Sequence, residues 1–235
     1  MWLDGEQTRI VTPDTYQQVY NDISKSEYDD AYFILEQFIE GPEYSYHAIV
    51  SENDWRFLGA ARDYKRMYDG DRGPNTNGMG AYGLVDVHPI VHEYVDIIIE
   101  ELKKRGDKYI GFLYLGIKVD ALGVPVVLEV NVRPGCPELQ TILPSIDTNL
   151  AKLLFAAATN KPLEQINYNN KKTVTVITSR HDSDDGHYFV SSDKERNCYV
   201  ITGESIKQAT EQAYGIVNKL DKSAVYYRTD IGYLR

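Results

Sequence analysis

The stretch of sequence that decides the fold is rich in glycine and lies in the first half of the chain, where it reads Asp69-Gly70-Asp71-Arg72-Gly73-Pro74-Asn75-Thr76-Asn77-Gly78-Met79-Gly80-Ala81-Tyr82. Glycines let backbone N–H groups approach an anion closely. Asp63, Asp69 and Asp71 could bind an ammonium group, and Lys65 or Arg66 a phosphate. A solvent-exposed turn would have a similar glycine content. The periodic pattern stops over residues 62–83, so we expect a long functional loop here.

Upstream of this loop, the sequence predicts one helix and a pair of strands. Thr12-Pro13-Asp14 is a helix start, and apolar residues at helical spacing continue to about Ser24. Residues 31–40 have the apolar pattern of a buried strand closed by Gly41-Pro42, and residues 44–50 alternate. We expect these two strands to pair.

The first of these strands has features of a nucleotide-binding edge. Its backbone could receive an adenine ring, and the carboxylate of Glu43, a few residues further on, could accept hydrogen bonds from ribose hydroxyls. A core strand followed by a turn would give the same pattern. The residues concerned are Glu36, Gln37, Phe38, Ile39 and Glu43.

Downstream of the loop, helices and strands follow without regular alternation. This mixture predicts an α+β fold rather than a doubly wound sheet. The predicted helices cover 90–105, 148–159 and 205–220, and the predicted strands cover 109–120, 124–131, 173–178 and 197–202.

The strand over 124–131 suggests a metal site. Val126, Leu128 and Val130 occupy alternate positions, so Glu129 and Asn131 share the other face. Carboxylate and carboxamide oxygens suit Mg²⁺, which binds nucleotide enzymes through one or two carboxylates plus phosphates. Arg133, just beyond, could neutralise phosphate or a developing anion. The alternative is that Glu129 and Asn131 lie on the wet face of a half-buried hairpin.

Composition excludes several classes of protein. The formal charge of −10 and the pI near 5.0 disfavour a nucleic-acid-binding protein, which needs clustered Lys and Arg. Cys136 and Cys198 are too few for a disulfide framework or a zinc site, which fits a reducing, cytoplasmic setting. The sequence shows no export signal and no apolar run long enough to span a membrane.

Taken together, the motifs resemble those of phosphoribosylamine–glycine ligase, an ATP-grasp family. That family has E-E-F-x-x-G-x-E, then Q-D-H-K-R, D-G-D-x-G-P-N-T-G-G-M-G-A-Y, E-F-N-x-R-x-G-D-P-E-x-Q and Y-R-x-D-I-G. The corresponding stretches here are 36–43, 62–66, 69–82, 129–140 and 227–232. The resemblance implies an enzyme with an ATP-grasp fold. Such an enzyme joins glycine to phosphoribosylamine through an acyl phosphate, with ATP and Mg²⁺ or Mn²⁺ as cofactors.

The resemblance also implies residue roles. Glu129 and Asn131 would hold the metal, residues 36–39 would form the adenine hinge, and Glu43 would contact ribose. Lys65 would belong to the nucleotide site. Asp63, Asp71, Arg133 and Glu138 would act on the substrates, which a loop would cover with Asn75, Thr76, Gly78, Met79 and Gly80.

The sequence departs from the family pattern in ways that lower the activity we expect of this chain. Cys136 replaces a family aspartate, and the family's N-terminal substrate domain and Gly-Lys-Gly phosphate loop are not found. We therefore expect a truncated ATP-grasp fold with a partial nucleotide lobe (1–60), a catalytic and metal-binding lobe (61–165) and a small C-terminal domain (166–235). Activity of this chain alone would be weak or incomplete, and a partner chain would supply the missing half. We also expect self-association or a partner to cover the apolar sheet edge that an incomplete nucleotide lobe leaves open. The alternatives are a non-catalytic nucleotide-binding or regulatory module and a ligase for another amino acid.

Overall fold

Most strands of the chain join one antiparallel sheet in a computed structural model that describes residues 10–24, 34–180 and 196–233. The strands are β1 (Glu43–Val50), β2 (Trp55–Asp63), β3 (Arg66–Tyr68), β4 (Arg72–Asn75), β5 (Gly80–Gly83), β6 (Gly111–Val119), β7 (Pro125–Asn131), β8 (Lys172–Arg180), β9 (Arg196–Gly203) and β10 (Val225–Tyr226). The sheet has eight strands in the order β10-β8-β5-β2-β1-β6-β7, with β9 also paired to β8. Strands β3 and β4 form a separate hairpin.

Helices cover both faces of this sheet. They are α2 (Ile90–Lys104), α3 (Glu138–Ile142), α4 (Leu150–Ala158) and α5 (Ile206–Val217), and one further helix, α1 (Tyr16–Ser24), precedes them in the chain. In α2, Val91, Val95 and Ile99 recur every four residues, so one stripe is buried against Tyr46 and Leu115 of the sheet. Helix α5 packs further along the same face, against β8 and β9.

The opposite face of the sheet carries α3 and α4. Ile142 of α3 and Leu153 of α4 pack with Ile49, Leu58 and Ala81 in a second apolar cluster. Helix α4 begins at Asn149, whose side chain accepts from the backbone N–H of Lys152 at 3.0 Å. Such N-caps satisfy one of the donors that every helix start leaves without a partner. The α3 side of the sheet is the side that carries the candidate site.

The α+β architecture predicted from the sequence is confirmed, as are most of its elements. The helices expected from residues 90, 148 and 205 correspond to α2, α4 and α5, and Ser205 caps α5 by accepting from Gln208 N at 3.1 Å. The four strands expected downstream of the loop correspond to β6, β7, β8 and β9. The first helix is also present as α1, although Tyr16 and Tyr20 on its predicted apolar face are exposed.

The expected strand over 31–40 is not formed in its described part, residues 34–40. Residues 31–33 lie outside the described part, and residues 34–40 have no regular structure, with Leu35 90% exposed. Strand β1 pairs instead with β2 and β6. The apolar side chains of residues 34–40 are therefore not part of the hydrophobic core.

The expected long loop over 62–83 is more ordered than its glycine content suggested. It contains the end of β2, the β3–β4 hairpin and the fully buried strand β5, which bridges β2 to β8. At Gly80, which has φ +155°, a Cβ would lie 2.5 Å from the carbonyl oxygen of Thr175. Glycine is required there because neighbouring backbone leaves no room for a side chain.

Strand β7 is the last strand at one end of the sheet, so the alternation of apolar and polar residues along it does not mark a buried face. Leu128 and Val130, two of the three alternating apolar residues, are 39% and 46% exposed in the described structure. The register also shifts between Gly116 and Ile117 where β6 meets β7. Among the described residues, no helix is both long and apolar enough to cross a membrane.

Candidate active site

The candidate site is built on one face of the sheet by alternate residues of β1. Glu43, Ser45 and His47 are spaced two apart and project to the face that carries α3. Ser45 lies opposite Gly116, which lies opposite Glu129; His47 lies opposite Tyr114, which lies opposite Asn131. Directly opposed residues of antiparallel strands share a face. Two cross-strand rows therefore bring polar groups from β1, β6 and β7 together.

Asp63 and Lys65 form an ion pair at the end of β2. Lys65 Nζ lies 2.8 Å from Asp63 Oδ2 and 3.9 Å from Glu43 Oε1. Asp63 is only 4% exposed, and neither of its carboxylate oxygens accepts a well-oriented hydrogen bond. A buried carboxylate with spare acceptor capacity is costly unless a cation or donor reaches it. This arrangement suits binding of a positively charged or hydrogen-bonding group.

The protonation of these groups is set by burial and mutual charge. Burial raises the pKa of Asp63 to about 6, with Glu138 adding to the rise and Lys65 opposing it. Burial likewise raises the pKa of Glu43 to about 7, partly offset by Lys65. Burial alone would lower the pKa of Lys65, but Asp63 and its other acidic neighbours raise it overall. Lys65 is thus a fixed cation between carboxyl groups that titrate near neutrality.

Glu138, the first residue of α3, faces this pair. It is 1% exposed, and its Oε1 accepts hydrogen bonds from Ser45 Oγ at 2.8 Å and from Tyr114 OH at 3.4 Å. Burial raises the pKa of Tyr114 well above its usual value, so the phenol remains a neutral donor. Oε2 of Glu138 is buried without a partner. A second carboxylate oxygen at the site is therefore available to a ligand.

Glycines leave both carboxylates uncovered by side chains. A Cβ on Gly135 would lie 2.6 Å from Glu138 Oε1, and a Cβ on Gly78 would lie 3.4 Å from Asp63 Oδ1. The backbone N–H of Gly135 donates to Nε2 of buried His47 at 3.0 Å. Burial lowers the pKa of His47 to about 4, so the ring is neutral and can accept this bond. His47 therefore fixes the loop that precedes Glu138.

The predicted substrate loop wraps the backbone of Lys65. Thr76 donates to Lys65 O through both N and Oγ1, at 2.7 and 2.9 Å, and Gly78 N donates to Thr76 Oγ1. Met79 is fully buried, and its N donates to Tyr64 O at 2.8 Å. Asn75 ends β4, and Gly80 begins β5. The loop predicted from the sequence thus lies beside Asp63 and Lys65.

The predicted metal ligands Glu129 and Asn131 lie on the same face at the β7 edge, in rows with Ser45 and His47. A Cβ on Gly116 would lie 2.8 Å from Glu129 Cγ, so a glycine opposite Glu129 provides the space that its side chain occupies. In the described residues, no three His, Cys, Asp or Glu side chains group as a metal cluster. One carboxylate with a neighbouring carboxamide nevertheless fits Mg²⁺, which takes its remaining ligands from phosphates and water.

The predicted adenine-hinge residues lie next to Lys118 of β6. Lys118 Nζ donates to Ile39 O at 2.9 Å and lies 5.2 Å from the centre of the Phe38 ring. Glu36, Gln37 and Phe38 are exposed. Glu43 follows at the start of β1, close enough to Lys118 and Glu129 for their charges to affect its pKa. Phe38 and Ile39 thus lie beside β6, the strand between β1 and the β7 edge that carries Glu129 and Asn131.

With this geometry in view, comparison with known proteins identifies the family. Residues 12–139 match the profile described as "Phosphoribosylglycinamide synthetase, ATP-grasp (A) domain". The chain belongs to this family. The resemblance expected from the sequence is confirmed, and with it the ATP-grasp fold.

Two curated relatives of this ATP-grasp domain share the name phosphoribosylamine–glycine ligase. Phosphoribosylamine–glycine ligase of Streptomyces coelicolor is 32% identical over 238 residues, covering 84% of this chain and 57% of that protein. The Leptospira interrogans enzyme of the same name is 32% identical over 237 residues, covering 85% of this chain and 55% of that protein. The chain therefore spans about half the length of these relatives.

Solved structures agree with the sequence comparison. Phosphoribosylamine–glycine ligase of Thermotoga maritima superimposes with a TM-score of 0.70 at 28% identity, covering 83% of this chain and 56% of that one. The biotin carboxylase domain of Hydrogenobacter thermophilus 2-oxoglutarate carboxylase, solved with ADP and its magnesium salt, gives a TM-score of 0.61 at 14% identity. It covers 91% of this chain and 52% of that one, and it shows shared fold alone.

Two of the predicted substrate residues of this ATP-grasp domain lie outside the cluster around Lys65. Asp71 pairs with Arg228 at 2.9 Å and Arg62 at 3.4 Å. Because Arg62 and Asp63 are adjacent on a strand, they point to opposite faces of the sheet, so Asp71 belongs to the other face. Arg133 is exposed, and its Nη1 donates to Pro134 O at 3.1 Å.

Several residues of the site were missed by sequence reasoning. Ser45, His47 and Tyr114 support Glu138 and its loop, while Arg196 donates to the carbonyl oxygens of Asn77 and Gly78. The sequence did contain a signal for two of them, Ser45 and His47. Polar residues at alternate positions of the otherwise apolar strand β1 mark a buried polar face. No comparable pattern pointed to Tyr114 or Arg196.

Proposed function

We propose that this chain supplies the metal-binding and substrate-binding part of an ATP-dependent carbon–nitrogen ligase of purine biosynthesis. The reaction joins glycine to phosphoribosylamine and yields glycinamide ribonucleotide, ADP and phosphate. In it, the terminal phosphoryl group of ATP passes to the glycine carboxylate, the amine attacks the resulting acyl phosphate, and phosphate leaves. The curated relatives named phosphoribosylamine–glycine ligase support this assignment.

The observation that carries the proposal is the buried group formed by Asp63, Lys65 and Glu138. It combines a fixed cation, paired with Asp63 Oδ2, with two further carboxylate oxygens that have no hydrogen-bond partner, Asp63 Oδ1 and Glu138 Oε2, beneath a loop of small residues. An ammonium group of a small substrate would satisfy those oxygens. No nucleophilic side chain is required, because phosphoryl transfer of this kind depends on positioning and charge neutralisation.

The remaining residues have roles that follow from their positions. Glu129 and Asn131 would hold Mg²⁺ or Mn²⁺, which neutralises phosphate charge when bound. Residues 36–39 would contact adenine, and Glu43 the ribose. Asp63, whose pKa burial raises to about 6, is suited to accept the proton that the attacking amine loses. The exposed Arg133 is free to turn toward a phosphate.

The proposal extends to organisation and setting. The divisions 1–60, 61–165 and 166–235 would serve as nucleotide, catalytic and C-terminal regions of a cytoplasmic enzyme. The exposed apolar residues of β7 would be covered by a second polypeptide or another copy of the chain. Size-exclusion chromatography with light scattering tests this point, and a monomer at all concentrations would contradict it.

The metal role is tested by titrating Mg-ATP into the wild-type chain and Glu129→Gln by calorimetry. We expect Glu129→Gln to weaken binding by about tenfold or more, which corresponds to roughly 1.4 kcal/mol. With EDTA present and no metal, the two proteins should bind ATP equally. The matched control is Glu101→Gln on the exposed surface of α2, which should leave the isotherm unchanged. Identical isotherms for wild type and Glu129→Gln would contradict the assignment.

The ligase activity is tested by measuring ADP release with ATP, glycine and phosphoribosylamine. We expect turnover by this chain alone to be low and to depend on both acceptor substrates, with Asp63→Asn reducing it further. Strong turnover of the chain alone would contradict the expected weakness. Mg-ATP binding without any turnover would instead support a nucleotide-binding module, and turnover with another amino acid would support a changed substrate.

A further inference from the structure

The C-terminal segment, residues 226–232, lies against the face of residues 62–66 that is opposite the candidate site. Tyr64, between Asp63 and Lys65, is only 3% exposed and packs in the apolar cluster that α5 forms with β8. The side chains of Asp63 and Lys65 pair at 2.8 Å on the α3 side. The same short stretch of chain therefore carries site residues on one face and contacts the C-terminal segment on the other.

Two neighbouring carbonyl groups of this stretch are bound from different directions. Arg228 Nη1 donates to Arg66 O at 2.9 Å, and the Arg228 guanidinium lies 4.8 Å from the centre of the Tyr64 ring. Thr76 of the substrate loop donates to Lys65 O through its N at 2.7 Å. The main chain on either side of the Lys65–Arg66 peptide is thus held by the substrate loop and by the C-terminal segment.

Asp71 links this contact back to β2. Its Oδ1 accepts from Arg228 Nη1 at 2.9 Å, and its Oδ2 accepts from Arg62 Nη2 at 3.4 Å. The backbone of Asp71 is left-handed, with φ +54°, a conformation that aspartate tolerates better than most residues. Arg228 is fully buried, so its charge requires nearby carboxylates. Asp71 is therefore held between two cations on the face away from the site.

Further hydrogen bonds fix the orientation of Arg228. Asp230 accepts from its Nε at 2.8 Å and from its Nη2 at 2.7 Å, and Asp230 Oδ2 also accepts from Gly70 N at 2.8 Å. Asp69 Oδ1 accepts from Thr229 N at 2.8 Å. The guanidinium cannot move without breaking several of these hydrogen bonds at once.

We propose that Arg228 and Asp71 are positioning residues for the ligase reaction, because they hold residues 62–66 from the face opposite the candidate site. The inference rests on the proposed function, in which Asp63 and Lys65 meet the substrates. It gives Asp71 a role through Arg228 rather than a contact with substrate. Loss of either positioning residue would let the stretch shift, and the ion pair between Asp63 and Lys65 would open more often.

Chemical labelling of Lys65 in the full chain tests the positioning without relying on turnover. We expect an N-hydroxysuccinimide acetate ester to acetylate Lys65 about tenfold or more faster in Asp71→Asn than in wild type, as measured by mass spectrometry. Asparagine also tolerates the left-handed conformation, so this variant removes the ion pairs and keeps the backbone. Lys104, exposed on α2, gives a reference rate that should not change.

Arg228→Lys tests the other partner, and a stability control accompanies it. Lysine cannot reproduce the forked hydrogen bonds, so Lys65 should again be labelled about tenfold or more faster. Val95→Ala is the control, since Val95 is fully buried in α2 and its truncation destabilises the protein away from the C-terminal segment. Wild-type labelling of Lys65 in both test variants, or equal acceleration in Val95→Ala, would overturn the proposal.

Turnover distinguishes this proposal from the ligase assignment itself. In the ADP-release assay, Asp71→Asn should lower kcat/KM for glycine by about tenfold or more while the KM for Mg-ATP changes by less than about twofold. A wild type without turnover would contradict the ligase assignment, and the labelling rates would still decide whether Lys65 is positioned from behind. Lower turnover of Asp71→Asn with unchanged labelling of Lys65 would indicate direct contact with substrate and would refute the positioning role.

Discussion

At the scale of single residues, the site depends on how few partners its buried carboxylates have. Glu43 and Asp63 share one cation, Lys65, and their pKa values rise because burial disfavours the charged form. In the unfolded chain, both groups would titrate near their ordinary values of 4.5 and 3.8. At a pH between the ordinary and the raised pKa of each group, the carboxyl group is therefore protonated in the folded protein and ionised in the unfolded chain.

This difference fixes the sign of a pH dependence. A carboxyl group with a raised folded-state pKa contributes stability below the unfolded pKa and loses it as pH rises through the folded pKa. For Glu43, the loss falls between pH 4.5 and about 7. We expect Glu43→Gln, which cannot ionise, to gain roughly 1 to 2 kcal/mol relative to wild type across that interval. Urea unfolding at both pH values measures the difference.

The control for the pH experiment is an exposed carboxylate. Glu101 pairs with Lys104 on the surface of α2, where ion pairs contribute little. Glu101→Gln should run parallel to wild type over the same interval. A constant difference between Glu43→Gln and wild type at every pH would show that burial of Glu43 does not shift its titration.

At the scale of elements, glycine explains why two of the strands, β2 and β5, escaped prediction. Strand β2 includes Gly59, where a Cβ would lie 2.6 Å from Ile142 Cγ2 and 2.7 Å from Leu84 Cδ2. Close packing of α3 requires the glycine, and the glycine hides the strand from propensity rules. Strand β5 is hidden for a similar reason. The error for residues 34–40 was the opposite one: a strand was predicted where none is formed. Apolar residues alone do not specify a neighbouring strand with which to pair.

The candidate site was predictable as a list of residues but not as an arrangement. The motifs named Asp63, Lys65, Glu129, Asn131 and Glu138, and the fold places all of them on one sheet face. Long-range pairing decides which of them meet. Alternation along β1 could have identified Ser45 and His47, whereas the position of Asp71 on the other face depends on the β3–β4 hairpin, which the sequence did not reveal.

A pair of glycine substitutions tests the packing of elements directly. Gly80→Ala places a methyl group against the backbone of β8, so we expect a loss of about 2 to 4 kcal/mol in unfolding free energy. Gly215 lies inside α5 with nothing within 4 Å of its Cβ position. Gly215→Ala should therefore stabilise the protein by about 0.5 to 1 kcal/mol. Urea midpoints measure both; equal effects would contradict the structure at β5.

At the scale of the whole molecule, Arg228 connects the end of the chain to the β3–β4 hairpin. Its side chain is fully buried and donates two hydrogen bonds to Asp230, one to Asp71 and one to Arg66 O, at 2.7–2.9 Å. It also lies 4.8 Å from the centre of the Tyr64 ring. One guanidinium thus joins segments about 160 positions apart, next to the strand that carries Asp63.

Arg228→Lys should show how much this connection contributes. A lysine retains the charge but cannot donate in the planar, forked geometry that Asp230 and Asp71 receive. We expect a loss of about 2 to 3 kcal/mol on urea unfolding, and about 3 to 5 kcal/mol for Arg228→Met, which removes the buried cation from Asp230 and leaves Asp71 only its longer pair with Arg62.

The matched control for Arg228 is Lys207→Met on the exposed surface of α5. Its ion pair with Glu211 is long, at 4.0 Å, and should change stability by less than about 0.5 kcal/mol. If Arg228→Lys were as stable as wild type, the forked hydrogen bonds would not be what holds the hairpin to the end of the chain.

The position of β5 between β2 and β8 also has a consequence for biosynthesis. During translation, β5 leaves the ribosome 89 residues before β8 begins (172 − 83). At about 5 to 20 residues per second, the edge of β5 waits roughly 5 to 20 s for its partner. A nascent chain held in that interval would expose unpaired backbone next to apolar residues, which is the kind of segment that chaperones bind. Slower codons between β5 and β8 would prolong that exposure and lower the yield of folded protein.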